Sequence, residues 1–336
     1  MRRIFSIWLL AALAPLLLSC SDDSTTTTAN YLDGSVRFSI PRFVAAGDEI
    51  PVRPSGISHP DGEAFGYYWT VGTLHTHRDT IQTLLGTMSP YASDIFEVPD
   101  TIGTFSLSVT AFANNYYPSS GSADFTILHP TLSITGASYM DIDGGEMLTD
   151  ARDGLRYPVM QAAGLRWMCR NLAWEGAGAI YDECPATVPV FGRYYNWEEA
   201  MTACPEGWRL PTEFEWAALV EAASGETGLL EDGTFPAGAG SLMGKASLNG
   251  DLMWEYWPEV PVTDAVGFCA LPFGYGNLST YEKDRFTGLA NYAAFWTATE
   301  VDASQARYRY LNVHRPEVFA GKADKRTFAA SVRCVR

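Results

Sequence analysis

The sequence predicts a multidomain protein, with an all-β domain first and an α+β domain after it. Across residues 31–130, short runs alternate between apolar and polar residues and are separated by turn signals such as Pro60-Asp61-Gly62, which is the pattern of a β-sandwich. Residues 194–216 instead carry the start and stop signals of two helices around the loop CPEGWRLP. The change of pattern puts the domain boundary near residue 131.

Residues 1–20 are predicted to be a targeting segment. Two arginines precede the apolar run 4–18, which is too short for a convincing membrane span. The run ends in Leu17-Leu18-Ser19-Cys20, which resembles a bacterial lipobox, so Cys20 is the predicted lipid attachment site; an ordinary secretory signal is the alternative. Acidic residues follow directly, as in the export signal of Bacteroidota surface lipoproteins, and residues 21–30 form a polar tether. We expect a lipid-anchored outer-membrane protein that faces the cell surface.

Composition restricts the partners and cofactors. The 336 residues carry a formal net charge of −16, so we expect no nucleic-acid partner. His75 and His77 would share one face of a strand, but without a third ligand they are more typical of solvent-facing residues. The cysteine and histidine spacing contains no zinc motif, and the acidic turn 141–144 lacks the spacing of a calcium loop. We therefore expect neither a metal nor a cofactor.

The first domain, residues 31–130, is predicted to consist of strands. Period-two alternation is clearest in two runs, at Tyr67, Trp69 and Val71 and at Phe105, Leu107, Val109 and Ala111. The segments YYWTV, TIGTFSLSVTAFANN and SADFTIL together resemble immunoglobulin-like PKD domains of surface proteins. That resemblance implies a spacer or a weak interaction module.

The two helices of the second domain, residues 131–336, are predicted from capping boxes. Asn196 and Glu199 fit the first box, and Thr212 and Glu215 fit the second. Gly225 is expected to end the second helix. Helical spacing predicts an apolar face on each helix, formed by Tyr194, Trp197, Met201 and Cys204 and by Trp216, Leu219, Val220 and Ala223.

Five ordered motifs in this half resemble one family. They are the stretch from Asp150 to Trp174, the stretch around CPEGWRLP, GFCALPFGY, FWTATE and the closing SVRCVR. Together they resemble the Fibrobacter succinogenes major paralogous domain. The resemblance implies a C-type-lectin-like fold, of the broader kind shared with formylglycine-generating enzymes.

The fold implied by the resemblance suggests disulfides. Cys204, after the first helix, would meet Cys334 in the last strand. Cys169 and Cys184 are the next most plausible pair, because the Gly/Ala-rich loop 176–179 could return the chain to the first of them. Cys269 is then the odd thiol, buried beside Phe268.

The residues favour binding over catalysis. The helix glutamates are explained by capping and solvation, and the paired active-site cysteines of formylglycine-generating enzymes have no counterpart close together in sequence, so we expect no enzyme activity. Aromatic residues interleaved with amides and carboxylates instead suit a sugar or a protein surface. The candidates for exposed ligand-binding residues are Trp254, Trp257, Tyr275, Asn277 and Tyr281, whereas Phe273 and Trp296 are expected in the core.

The expected role is therefore non-catalytic binding or adhesion, with a glycan or another surface protein as the ligand. The Glu-Pro-Asn and Trp-Asn-Asp signatures of calcium-dependent lectins are absent from the sequence. The alternative is a structural or assembly subunit of a cell-surface complex. An enzyme related to formylglycine-generating oxidases is the third hypothesis.

Overall fold

The structure, a computed structural model, describes residues 29–74, 82–87, 95–138, 145–254, 260–279 and 285–336. Strands hold 41% of the residues and helices 13%, so several sheets, rather than helices, build most of the core. Cys20, His75 and His77 lie outside the described residues, as does the turn 141–144. None of the helices in the described ranges has the length and apolar character needed to cross a membrane.

Nine strands form the first half, and their order follows the alternation in the sequence. Five of them make one sheet in the order β2-β9-β8-β5-β6, while β1 pairs with β4 and β3 with β7. The predicted runs lie side by side, with Trp69 opposite Val109 and Val71 opposite Leu107, and all four side chains are buried. The strands are β1 Asp33–Arg37, β2 Phe43–Ala45, β3 Glu49–Pro51, β4 Ser55–Ser58, β5 Gly66–Leu74, β6 Gln82–Thr87, β7 Ile95–Glu97, β8 Gly103–Phe112 and β9 Ser119–Leu128.

Twelve further strands belong to three sheets in the second half. The orders are β10-β14-β15, β11-β12-β13 and β17-β16-β18-β19-β20, with β21 also paired to β16. The bounds are β10 Ile134–Thr135, β11 Met147–Thr149, β12 Arg156–Ala162, β13 Leu165–Met168, β14 Ser247–Leu248, β15 Asp251–Leu252, β16 Phe273–Asn277, β17 Phe286–Leu289, β18 Tyr292–Glu300, β19 Gln305–Asn312, β20 Phe319–Asp324 and β21 Phe328–Ala329.

Both capping boxes are confirmed. The Glu199 N–H donates to Asn196 Oδ1 at 2.9 Å, and the Asn196 N–H donates back to the glutamate at 3.0 Å; Thr212 and Glu215 make the same reciprocal pair. Gly225 ends the second helix in the left-handed region, at φ 75°. The helices are α1 Val188–Phe191, α2 Trp197–Ala203, α3 Glu213–Ser224 and α4 Ala239–Leu242, with 3-10 turns at Tyr181–Glu183 and Pro185–Thr187.

The apolar face expected for α2 was partly wrong. Met201 is 42% exposed, and α2 instead buries Trp197, Ala200 and Ala203. The helix begins at Trp197, so its inner face follows i, i+3 and i+6 from that residue. Tyr194 lies before the helix and is buried by other contacts.

The disulfide between Cys204 and Cys334 is present and confirms the first pairing. It joins the end of α2 to the chain terminus, which backbone hydrogen bonds also hold. Arg166 and Arg336 exchange N–H···O bonds of 2.9 and 3.0 Å, and Arg209 and Val335 exchange bonds of 3.0 and 2.8 Å. Residues 334–336 are thus fixed between β13 and the loop that follows α2.

The second pairing was wrong, because Cys169 and Cys184 are both free and buried. Cys169 lies in the apolar cluster of Trp167 and Trp216, whereas Cys184 belongs to a separate cluster around Tyr181. The Gly/Ala-rich loop does not return to Cys169, since Ala179 bridges to Tyr194 instead. Cys269 is a free, buried thiol as expected, but it is one of three such thiols in the described residues.

The two halves share a core. Phe43 on β2 packs edge-on against Tyr181 and Phe191, with ring centroids 5.8 and 5.5 Å apart. The Asn249 side-chain NH2 donates to the Ile127 carbonyl at 2.9 Å across the same seam. The sheet of the first half is therefore docked on the second half through buried aromatic contacts.

Candidate functional site

The predicted ligand-binding residues fall into three groups. Trp254 is buried, with 6% of its surface exposed, and its ring N–H donates to the Ala270 carbonyl at 2.9 Å, so its predicted exposure was wrong. Trp257 and Tyr281 lie outside the described residues. Tyr275 and Asn277 lie two residues apart on β16, where Tyr275 is partly exposed and Asn277 is exposed.

Tyr275 belongs to a group of six partly exposed rings on one sheet, which we call the aromatic ribbon. Its members are Tyr275, Tyr292, Tyr308, Tyr310, Phe319 and Phe328. They come from five different strands, β16, β18, β19, β20 and β21. The ribbon is thus assembled by sheet topology, and no local segment of the sequence contains it.

Five of these rings form a closed circuit of contacts. In order, the centroid distances are 5.6 Å from Tyr310 to Tyr308, 4.6 Å to Phe328, 5.5 Å to Tyr275, 5.8 Å to Tyr292 and 6.3 Å back to Tyr310. These spacings are those of interacting aromatic pairs. Each ring therefore restrains its neighbours, and the group presents one preformed surface.

The sixth ring extends the circuit at one edge. Phe319 stacks on Tyr310 with a centroid distance of 4.6 Å and an interplanar angle of 9°. The two residues are cross-strand partners of β19 and β20. The Arg315 guanidinium lies 5.7 Å from the Phe319 centroid and pairs with Glu317, which puts charged groups beside this edge.

Strand alternation explains why large rings point to this face. On β19, Tyr308 and Tyr310 belong to the ribbon, whereas Arg309 and Leu311 lie on the opposite face and are buried. Successive side chains of a strand point to opposite faces, so the core and the ribbon share one strand. Gly321 lies opposite Tyr308, and a Cβ there would fall 2.3 Å from that ring; glycine is needed for this close approach.

A fully buried tryptophan supports the ribbon. The Trp296 ring meets Phe328 edge-on at 5.3 Å and Tyr308 at 6.1 Å. Its ring N–H donates to the Tyr195 carbonyl at 2.8 Å. This confirms the expected core position of Trp296, which packs beside Tyr308 and Phe328.

The ribbon also carries polar groups. Within the described chain, no residue hydrogen-bonds the hydroxyl of Tyr275, Tyr292, Tyr308 or Tyr310. Burial raises the pKa of Tyr308 to about 12, and burial also raises the pKa of Tyr275 and Tyr310. The hydroxyls of these three residues therefore keep their protons at neutral pH and act as donors as well as acceptors.

Amide groups border the same face. Asn277 pairs with Phe328 across β16 and β21, and Asn312 pairs with Tyr292 across β18 and β19. The side-chain oxygen of each asparagine accepts a backbone N–H of its own turn, from Ser279 and His314 respectively. Each amide thus keeps its NH2 group as a donor beside the rings.

The sequence contained a signal for this surface that our sequence reasoning missed. Residues 305–312 read QARYRYLN, in which the two tyrosines alternate with arginines. That period-two pattern indicates a strand with an aromatic face. The partners on β20 and β21, Phe319 and Phe328, become neighbours only through strand pairing, which no local pattern specifies.

The glutamates considered as acid or base candidates have structural contacts. Glu199 and Glu215 complete the capping boxes, and Glu213 pairs with Arg309. Glu198 pairs with the exposed Arg326 at 3.3 Å. Within the described ranges, no group of three or more histidine, cysteine, aspartate or glutamate residues has the arrangement of a metal site.

Comparison with known proteins gives one informative match. Residues 160–336 match the family model described as the Fibrobacter succinogenes major domain. No curated protein matches the chain. A superoxide reductase (neelaredoxin) from Ignicoccus hospitalis is among the solved structures that match, with 14% identity over 31% of this chain and 86% of that chain. Its TM-score of 0.19 carries no argument about fold or function.

Proposed function

Because the chain belongs to the Fibrobacter succinogenes major domain family, we propose that it is a non-catalytic surface protein that binds a glycan through the aromatic ribbon. The proposal includes lipidation at Cys20 and anchoring in the outer membrane with the folded part facing outward. Its support is the lipobox-like ending of the apolar run 4–18 and the acidic residues directly after it.

The proposal also includes the finer fold assignments. We assign the first half to the immunoglobulin-like PKD type, on the strength of its five-stranded sheet and two antiparallel strand pairs. We assign the second half to the C-type-lectin-like type. Support comes from two capped helices before a mixed sheet and from the disulfide that ties the first helix to the chain terminus.

The closed circuit of five rings is the observation that carries the glycan assignment. Sugar rings present flat C–H faces that pack on aromatic faces, and their hydroxyls need donors and acceptors nearby. The ribbon provides both, since four of its six rings end in hydroxyl groups and two asparagines lie beside it. Among the described residues these four phenol hydroxyls have no hydrogen-bond partner, and an apolar protein partner would leave them unsatisfied.

The thiols support a non-catalytic role. Burial raises the pKa of Cys169 to about 12 and that of Cys269 to about 11. The thiolate is the reactive form of cysteine, so at neutral pH both remain protonated and unreactive. Glu199 and Glu215 are used in caps, and Glu213 is used in an ion pair with Arg309.

A glycan array probed with the full mature chain lacking only its lipid tests this proposal. Hits are then titrated against Tyr275→Ala and Tyr310→Ala, with Tyr117→Ala as the matched control, because Tyr117 is 59% exposed in the first half, outside the ribbon. Loss of one stacked ring is expected to weaken binding about tenfold. Tyr310→Phe keeps the ring and removes only the hydroxyl, so the smaller loss of affinity expected in this variant measures the contribution of the hydroxyl.

Two results overturn the proposal. If the ribbon variants bind an array hit as tightly as the unsubstituted chain, the glycan site is elsewhere. If a folded chain is silent on a broad array, the ligand is not a glycan, and a pull-down from outer membranes then tests for a protein partner. Circular dichroism of each variant verifies the fold in both cases.

A further inference from the structure

We propose that two exposed tyrosines at one end of the first half lie in the interface of the bilayer that holds the lipid anchor. They are Tyr31 and Tyr117, which are 63% and 59% exposed. Their rings stack with centroids 5.3 Å apart and an interplanar angle of 21°, and we call them the tyrosine pair. The inference rests on the proposed lipidation at Cys20 and adds a second membrane contact, made by side chains of the folded protein.

The tyrosine pair marks the point where the chain enters the first half. Tyr31 bridges to Tyr117, which lies in the turn between β8 and β9. The Tyr117 N–H donates to the Asn30 carbonyl at 2.9 Å, so the entering chain is held against this turn. Residues 21–30 separate Cys20 from the pair, and a segment of that length spans at most about 40 Å. The lipid-bearing residue therefore keeps the tyrosine pair close to the bilayer.

The second half is attached at the opposite end of the same strands. Strand β9 runs from Ser119 to Leu128, and a strand of that length spans about 30 Å. Tyr117 lies just before the strand begins, whereas Leu128 at its other end belongs to the buried cluster shared with the second half. The Asn249 side chain of the second half bonds the neighbouring Ile127 carbonyl. A bilayer contact at the tyrosine pair thus lies at the end of β9 that is farther from the second half.

Tyrosine suits the boundary between a bilayer and water. Its ring is apolar and its hydroxyl is polar, and tyrosine and tryptophan are enriched at the headgroup level of membrane proteins. More than half of each residue of the pair is exposed, and transfer of such apolar surface out of water is favourable. Because the two rings stack, a single bilayer contact covers both of them.

Acidic groups near the tyrosine pair select the kind of bilayer surface. The hydroxyl of the adjacent Tyr116 donates to Asp61 at 2.8 Å. This hydrogen bond raises the pKa of Tyr116, and burial and the negative charges of Asp61, Glu63 and Asp33 add to the shift. An anionic headgroup layer repels these carboxylates within about a Debye length, whereas a zwitterionic layer has no net charge to do so. The surface therefore fits a bilayer of zero net charge.

The test supplies the anchor chemically, so that it does not depend on lipidation in the cell. The mature chain, residues 20–336, is coupled at Cys20 to one tetradecyl group through a maleimide, since the other cysteines are buried or in the disulfide. A single chain of this length binds bilayers weakly and reversibly, so a further contact changes the measured partition. Partition into phosphatidylcholine vesicles is measured by sedimentation.

Tyr31→Ser/Tyr117→Ser is expected to lower the partition about tenfold, because two rings leave the interface. Leu229→Ser/Leu230→Ser is the matched control, since it removes two adjacent apolar side chains of the second half that are 55% and 51% exposed, and no change is expected. Tyr31→Trp/Tyr117→Trp keeps two interfacial rings and is expected to keep the partition. Phosphatidylglycerol vesicles are expected to bind the unsubstituted chain less tightly at low salt.

An unchanged partition in the tyrosine-to-serine variant overturns the proposal, and so does an equal loss in the leucine control. Tighter binding to phosphatidylglycerol overturns the assignment to an uncharged bilayer surface. Lipidation at Cys20 is tested separately by the mass of the chain extracted from membranes, so failure of the proposed anchor is distinguished from failure of the tyrosine contact.

Fluorescence gives an independent measurement on the same coupled chain. In vesicles of brominated phosphatidylcholine, Tyr117→Trp is expected to add emission that the lipid quenches. Leu132→Trp is the control, because Leu132 is 54% exposed and lies beyond the other end of β9, and its added emission is expected to escape quenching. Equal quenching of the two added tryptophans overturns the proposal.

Discussion

Removing the cross-link between Cys204 and Cys334 tests how the second half is stabilised. The disulfide closes a loop of 130 residues. On the chain-entropy relation, opening a loop of that length costs about 5 kcal/mol of unfolding free energy at 25 °C. The expected effect of the double variant Cys204→Ala/Cys334→Ala is therefore a loss of about 4–5 kcal/mol.

The structure indicates that this loss arises mainly in the unfolded chain. Four backbone hydrogen bonds join Arg166 to Arg336 and Arg209 to Val335 without help from the sulfur atoms. Those bonds remain when the cysteines are replaced, so residues 334–336 are expected to stay in place in the folded protein. The unfolded chain gains freedom and exposes more surface, so the urea m-value is expected to rise.

Urea titration followed by tryptophan fluorescence measures both quantities. Eight of the ten tryptophans lie between residues 160 and 336, so the signal reports mainly on the half that contains the disulfide. Cys184→Ala is the matched control, since it removes a buried sulfur without opening a loop, and its expected cost is about 1 kcal/mol. The chain-entropy reasoning is refuted if the double variant loses no more than this control.

Three further predictions concern single side chains. Glu213→Gln leaves the buried Arg309 guanidinium, 3% exposed, without its charged partner, and a loss of about 3 kcal/mol is expected in urea titration. Arg209 hydrogen-bonds Glu215 and lowers the pKa of that carboxyl to about 2. The stabilisation from this pair is present above the ordinary glutamate pKa of about 4.3 and is lost as the pH falls toward 2. The melting temperature of Glu215→Gln should therefore change less with pH across that window. Gly321→Ala puts a Cβ 2.3 Å from a ring of the aromatic ribbon. The free energy of unfolding is expected to fall by about 1–3 kcal/mol because of this crowding, and glycan binding is expected to weaken.

The features that were predicted correctly are those whose sequence pattern spans only a few neighbouring residues. Each capping box needs only two residues three positions apart, and the long strands need only alternation. The disulfide is different, because its partners are 130 residues apart. It was predicted from the family resemblance, because the spacing of the cysteines does not indicate which of them are in contact.

The incorrect predictions share one cause, which is that burial depends on contacts distant in sequence. Trp254 sits in an aromatic-rich segment, but the Ala270 carbonyl accepts its ring N–H inside the core. Cys169 and Cys184 are close in sequence yet lie in different apolar clusters. The aromatic ribbon went unrecognised for the same reason, since five strands contribute to it.

The core shared by the two halves affects how binding by this protein can be measured. Phe43 and Leu128 belong to the same buried cluster as Phe191 and Phe273 of the second half. A fragment that begins at residue 131 would lack Phe43 and Leu128 and would therefore expose this cluster. Because newly exposed apolar surface favours association, binding measured on such a fragment would mix ligand recognition with aggregation. The buried aromatic cluster is therefore a property of the whole chain, because residues of both halves form it.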